Sequence, residues 1–280
     1  MENLNIPLIS PLSRKYYQYA NDDSEKIHHR AEDVRICLEK ICDSIVFQLV
    51  SPKTKQKWGK YKLHDKLNAC KEFMNPQIVD DVLNAKNIGN EGVHNGEEGD
   101  YSQQDISDSL ETIKKFSLEI ILSYFEINGF GGNQQRSWVP TVFSVLPPVY
   151  RVQILEKYYV KNSSVLVIDK LSKAYLKNDM KKEAYLFLAE CYTKGQISQY
   201  EFERLEESLK ILEPYLDKFN IAHNLDEAKR NFLSLLPSIA EDERDSFVIL
   251  VSMILTGELP DKNCQDNWNE CSNCIIVVKK

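Results

Sequence analysis

From Ser24 to Val50 the apolar residues recur at spacings of three, four and seven, and a period of that kind leaves a chain few folds. Ile27, Val34, Cys37, Leu38, Ile41, Ile45 and Leu49 fall on one stripe, the pattern of a long amphipathic helix. Breaks are sparse: ten glycines in 280 residues is a low count. Long uninterrupted patterns with few turn signals favour helices over a many-stranded sheet. The expected fold class is therefore all-α.

Taken in order, residues 1–23 are polar and mixed, with Tyr16, Tyr17 and Tyr19, and read as an irregular arm holding about one helical turn. Asp22, Asp23 and Ser24 are N-cap candidates for the helix over 24–50, which Ser51 and Pro52 end. Pro52 to Gly59 reads as a basic loop, and a second helix spans 63–73. Asn75 and Pro76 make a cap and first-turn pair for a third helix, which runs to about Lys86 before Gly89 and Gly92 break the pattern. Gly96 to Tyr101 reads as an acidic loop. Ser102, with Asp105 in the first turn, opens a helix that runs to about Asn128.

Gly129 to Pro148 collects three glycines and three prolines and reads as a linker between 24–128 and a second helical domain at 149–258. Helices are expected there near 149–161, 163–177, 180–194, 198–212, 224–236 and 239–256. Ser198 and Glu201 form a capping box. Val165 to Ile168 is β-branched, but Leu171, Ala174 and Tyr175 continue the helical period. Residues 259–280 form a tail in which Ile275 to Val278 is strand-like or disordered.

Apolar content is 42%, charged content 28% and formal charge −7, an ordinary globular balance that gives no general attraction to nucleic acid; such binding needs a local basic patch. No stretch approaches the ~20 apolar residues of a spanning helix, and Met1 to Pro11 does not read as a secretory signal. Cys37, Cys42 and Cys70 sit within helical patterns, where a buried reduced thiol is expected, so a cytoplasmic setting fits best.

The stretch with chemical content is Asn84 to His94, N-A-K-N-I-G-N-E-G-V-H. An imidazole can give or take a proton near neutral pH, and metal-independent RNA cleavage needs a base for the 2′-OH, an acid for the leaving oxygen and a cation for the phosphorane-like charge. His94 suits the first two roles and Gly89 cannot fill the third; Lys86 and Arg35 are the nearby cations. The bland alternative is structural: Asn90 capping, His94 paired with Glu39 or a backbone carbonyl, and glycines that permit close helix approach. Arg35 and Glu39, four apart, also read as a bundle-stabilising ion pair.

Helix order and motif together resemble the HEPN superfamily, helical bundles of which many are metal-independent ribonucleases marked by Arg, a polar residue, three residues and His. Asn90 and His94 match that spacing, while Gly89 stands in the Arg position. The form I-G-N-E-G-V-H is more similar to a HEPN-like family of unknown function, found alone or attached to restriction endonucleases and other bacterial defence proteins, whose first helix carries an Arg and a Glu four apart, here Arg35 and Glu39. The resemblance spans about residues 24–128. It implies an antiparallel bundle, a homodimer through that bundle, RNA or a defence-system protein as partner, and no cofactor. Lacking the full motif, the chain reads first as an interaction module and alternatively as a dimeric RNase toxin with His94 and Asn90 as catalytic residues, and Arg35, Glu39 and Lys86 as binding residues.

Ala189 to Phe202 resembles the helix–turn–helix of TerB-like domains through Gly195, Ile197, Ser198 and Glu201, with Lys194 where that family has Asp; Ile254 to Leu259 is a second echo. A tetratricopeptide-like helical pair is the alternative. Cys271-x-x-Cys274 with Cys264 is half of a zinc site or a set of ordinary thiols. The lysines of 53–57 with Trp58 and Tyr61 read either as a solvated loop or as a surface for phosphate and stacked bases.

Overall fold

Helices make up the regular structure of the described residues. The computed structural model describes residues 7–130, 136, 139, 146–219, 221–235, 238–244 and 247, and among these no strand occurs. It divides into two compact units, one built on Asn5–Tyr124 and one on Phe125–Arg244.

In the first unit the arm is more ordered than its composition suggests. Ser10 and Pro11 start a ten-residue helix, α1 (Pro11–Ala20), in which the Ser10 side chain accepts from the Ser13 amide at 3.3 Å. Tyr17 and Ala20 are buried, so the arm docks through its own apolar face. The next helix, α2 (Ile27–Ile41), begins without a side-chain cap at Lys26. Asp22, expected to cap it, instead folds the preceding turn by accepting from the Ser24 amide at 2.9 Å. A π-helical turn, Cys42–Val46, and the short Phe47–Leu49 continue α2. The basic stretch after it is not a simple loop. Ser51 caps a helical turn at Pro52–Lys55, and Trp58–Lys60 forms a 3₁₀ turn before α3 (Leu63–Ala69).

The largest departure from the sequence pattern is α4 (Pro76–Asn95). It starts as expected, with Asn75 Oδ1 accepting from the Gln77 amide at 2.9 Å, but runs through Gly89 and Gly92 without a break. The glycines are there for space. A Cβ on Gly89 would lie 2.5 Å from the Cβ of Arg35, and one on Gly92 would lie 2.6 Å from the Cβ of Ala31 and 2.8 Å from the His28 carbonyl oxygen. A helix-interior glycine costs about 1 kcal/mol against alanine; close packing of α4 on α2 offsets it. Last comes α5 (Gln103–Ile127), where Asp105 accepts from the Ser102 amide at 2.7 Å. Its Ile106, Ile113, Phe116 and Ile120 are buried, as are Val34, Leu38 and Ile41 of α2 and Val82 of α4. Each such side chain contributes about 2 kcal/mol by leaving water.

The second unit is a run of helical hairpins: α6 (Pro148–Lys161), α7 (Val165–Lys177), α8 (Lys181–Thr193), α9 (Gln199–Leu212) and, after a 3₁₀ stretch at Glu213–Lys218, α10 (Leu225–Leu235). Val165 to Ile168 is helical, as the longer period predicts. The capping box at α9 forms: Glu201 accepts from the Ser198 amide at 2.8 Å and donates its own amide to Ser198 Oγ at 3.3 Å. Ile168, Leu188, Leu205 and Leu209 share one core. Phe187 packs edge-on against Tyr159 and Tyr175, with ring centroids 5.1 and 5.7 Å away. Left-handed residues end two helices, Asp179 (φ 62°) after α7 and Gly195 (φ 69°) after α8. Most of 129–148, most of the helix expected at 239–256 and the whole tail from 259 lie outside the described residues. No described helix is long and apolar enough to cross a membrane.

Candidate functional site

Helical spacing brings the predicted site residues to one place. Arg35 and Glu39 lie one turn apart on α2, and Asp43 follows a turn later in the π-helical continuation. Lys86, Asn90 and His94 step along α4 at intervals of four. All six line an open pocket of about 630 Å³ with Tyr61, Lys62, His64 and Lys66 from the approach to α3 and its first turns. The glycine contact sets the register. Gly89 sits beneath the Arg35 backbone, so the next residue, Asn90, falls beside the Arg35 and Glu39 side chains. An arginine at position 89 would have no room.

Four cationic side chains, Arg35, Lys62, Lys66 and Lys86, meet two carboxylates, Glu39 and Asp43. That excess is local, in a chain whose formal charge is −7. Arg35 Nη2 donates to Glu39 Oε1 at 3.0 Å, and Lys66 pairs with Asp43. Among the described residues Lys62 and Lys86 form no ion pair. Partial burial, and then the charge of Arg35, push the Lys86 ammonium below its ordinary value. An anion in the pocket would relieve that repulsion. His94 is exposed and Asn90 half-buried, and among the described residues neither side chain forms a hydrogen bond. Among the described residues His94 pairs neither with Glu39 nor with a backbone carbonyl, whereas the close helix approach expected of Gly89 and Gly92 is present. His64 Nε2 lies 3.1 Å from Asn68 Nδ2, so in the neutral tautomer that accepts this bond its Nδ1 carries the proton.

Sequence reasoning named Arg35, Glu39, Lys86, Asn90 and His94 but missed Asp43, Lys62, His64 and Lys66. The last three come from a separate segment, and no spacing rule links them to α4. The basic stretch divides between the alternatives. Trp58 is buried against Phe47, with Lys66 Nζ 5.6 Å from its ring centroid, so its face is closed to a base, whereas Tyr61 lines the pocket.

Among the described residues no group of three or more His, Cys, Asp or Glu suits a metal ion. Cys264, Cys271 and Cys274 lie outside those residues, as does Ile254 to Leu259. At the helix–turn–helix of the second unit, Lys194 pairs with Glu190 at 3.0 Å, and Glu201 is engaged by Ser198. Compared with known proteins, the chain matches no family model, no curated protein and no solved structure.

Proposed function

We propose that the first unit is a HEPN-like binding module of a bacterial defence or mobile-element setting, and that its pocket takes a phosphate-bearing ligand, RNA being the one the resemblance implies. One observation carries the reading: Arg35, Lys86, Asn90 and His94 face a single solvent-open pocket that holds more cations than carboxylates. Phosphate oxygens suit such a site, because Lys62 and Lys86 are point charges without counterions and Asn90 supplies a neutral donor. Binding without turnover is the primary reading. Gly89 stands where the ribonuclease motif of the resembled superfamily has Arg, and Arg35 is already engaged by Glu39 at 3.0 Å.

One observation favours ribonuclease activity as a second reading: His64 and His94 line the same pocket. With two imidazoles, one takes the 2′-OH proton as that oxygen attacks phosphorus, and the other protonates the departing 5′ oxygen, leaving a 2′,3′-cyclic phosphate. A dimer through the bundle, also implied by the resemblance, would bring two such pockets into one particle.

Fluorescence anisotropy with a labelled single-stranded RNA tests the binding. If three to four phosphates are contacted, log K falls against log salt with a slope of roughly −2 to −3. Lys86→Met weakens binding about tenfold, roughly 1.4 kcal/mol. Absence of binding at low salt, or affinity indifferent to Lys86→Met, overturns the proposal. Cleavage products from wild type that disappear in His94→Ala move the assignment to the second reading.

A further inference from the structure

A row of aromatic rings ends at the pocket of the first unit, and only the last of them is bare. The ring centroids of Phe47 and Trp58 are 5.8 Å apart, and those of Trp58 and Tyr61 are 6.3 Å apart. Lysines cover the first two rings: Lys55 Nζ lies 5.5 Å from the Phe47 centroid and Lys66 Nζ 5.6 Å from that of Trp58. Among the described residues no cation covers Tyr61. Trp58 is buried, whereas Tyr61 is half-buried and lines the pocket. The 3₁₀ turn at Trp58–Lys60 sets its position, the Tyr61 amide donating to the Trp58 carbonyl oxygen at 3.1 Å.

A tyrosine kept for packing alone usually sinks its ring and bonds its hydroxyl. Among the described residues the Tyr61 hydroxyl forms no hydrogen bond, and the residue stays half-buried in the pocket wall. Lys62, its neighbour in the chain, lines the same pocket and with Lys86 brings unpaired ammonium groups to it. Asp65 holds that neighbour in place by accepting from the Lys62 amide at 3.1 Å. A bare ring beside free cations matches a ligand with a flat face and a negative charge. At about 630 Å³ the pocket falls within the ~300–1,000 Å³ of small-ligand sites, room for one nucleotide and too little for a duplex.

We propose, resting on the phosphate-binding reading of the same pocket, that Tyr61 is its base-stacking residue and that the ligand is a nucleotide whose base is unpaired, free or within a single strand. The base lies on the Tyr61 ring, which Trp58 braces, while Lys62 and Lys86 hold the phosphate. Stacking of this kind tolerates any base, because every base has a π-face. A duplex keeps its bases paired and stacked, out of reach of the ring. For a strand, the path out of the pocket is also marked. Lys57 and Lys60 belong to the 3₁₀ turn that ends at Tyr61, are exposed and form no ion pair among the described residues, so they offer charge to the phosphates that follow.

The test measures binding to the full chain by fluorescence anisotropy, with a labelled RNA hexamer, an abasic strand of the same length and a blunt duplex. Wild type is expected to bind the single strand about tenfold more tightly than the abasic strand or the duplex. Tyr61→Phe keeps that preference, whereas Tyr61→Leu removes it and binds the two strands alike. AMP competing as well as unlabelled hexamer identifies the free nucleotide as ligand. AMP weaker by about tenfold or more identifies a strand, and Lys57→Met/Lys60→Met then weakens the hexamer and not AMP; an unchanged hexamer affinity overturns the path out of the pocket. The two readings fail separately. If binding depends on Lys86 but wild type shows no preference for the single strand over the abasic strand and the duplex, or the preference survives Tyr61→Leu, the stacking role alone is overturned. The wild-type comparison stands even if Tyr61→Leu does not fold. If no strand binds, or binding is indifferent to Lys86→Met, the phosphate pocket falls and the role of Tyr61 with it.

Discussion

Positive charge is handled differently in the two units. In the first, Arg30 is as deeply buried, at 4% exposure, but pairs with Asp23 at 2.7 Å and donates to the Ala20 carbonyl oxygen and Gln103, while Arg35 and Lys66 have carboxylate partners at the edge of an open pocket. In the second, Arg151 is sunk to 4% exposure with no counterion among the described residues. The helix contacts differ in the same sense. Bare backbone at Gly89 and Gly92 lets α4 lie directly on α2, whereas Tyr159, Tyr175 and Phe187 fill the space between helices of the second unit.

The sharpest way to break that comparison is to separate α4 from α2. Gly92→Ala puts a methyl 2.6 Å from the Ala31 Cβ and 2.8 Å from a carbonyl oxygen, neither of which is the end of a flexible chain. Overpacking costs about 1–3 kcal/mol, and contacts this short fall at the top of that range, about 3 kcal/mol, against the ~1 kcal/mol alanine returns in helix propensity. Net destabilisation of about 2 kcal/mol is expected in urea unfolding. Gly89→Ala behaves similarly and also displaces Arg35, whose Cβ it would meet at 2.5 Å, so RNA affinity falls with stability. If either variant is as stable as wild type, the glycines are not spacers and the register of the pocket has another cause.

That contact also marks where the sequence stops being legible. The Asn75–Pro76 start and the Ser198–Glu201 box could be read directly, because both are satisfied within four residues. The convergence of Lys86, Asn90 and His94 is legible only in its spacing: four-residue steps share a face once the segment is helical, but the expected helix stops near Lys86. Gly89 and Gly92 read as breaks because the local rule is correct in isolation; only Ala31 and Arg35, more than fifty residues earlier, explain why they stay helical. Lys62, His64 and Lys66 carry no local mark either. Arg151 and Lys177 look like the polar positions of two amphipathic helices, and burial set by distant residues makes them otherwise.

Gly195 supplies the counterpart in the second unit. A Cβ there meets nothing within 4 Å, but φ is 69°. Gly195→Ala therefore costs only the left-handed backbone penalty, about 1 kcal/mol, with no change in packing. The expected signature is a modest loss in urea midpoint with an unchanged m-value. A cost as large as that at Gly92 would mean the turn is crowded after all, and the contrast between spacer and turn glycines would fail.

The smallest effects are in the pH dependence, where the two units should slope in opposite directions. In the first, Asp33 sits with Glu32, Glu25 and His29 around an open pocket. Burial, then Glu32, raise its carboxyl from 3.8 to about 6. Between those values the folded chain holds more of that proton than the unfolded chain does, so this group's contribution to stability falls as pH rises from about 4 to 6. Because Asp33 is only part-buried, solvent screening limits the effect to about 1 kcal/mol or less. In the second unit Lys177 is lowered from 10.5 to about 8, so there the unfolded chain binds more protons and this contribution rises with pH across that window. The buried thiols of Cys37, Cys42 and Cys70 work against it above pH 9, and carboxylates such as Glu72, which accepts hydrogen bonds from Thr54 and Ser51, work against Asp33 in acid. Each slope is therefore read as a difference from a variant. Asp33→Asn is expected to be more stable than wild type at pH 7 and no more stable at pH 4, and Lys177→Met more stable at pH 7 by a margin that shrinks towards pH 10. Parallel curves for wild type and variant in either window would remove the titrating group from the account.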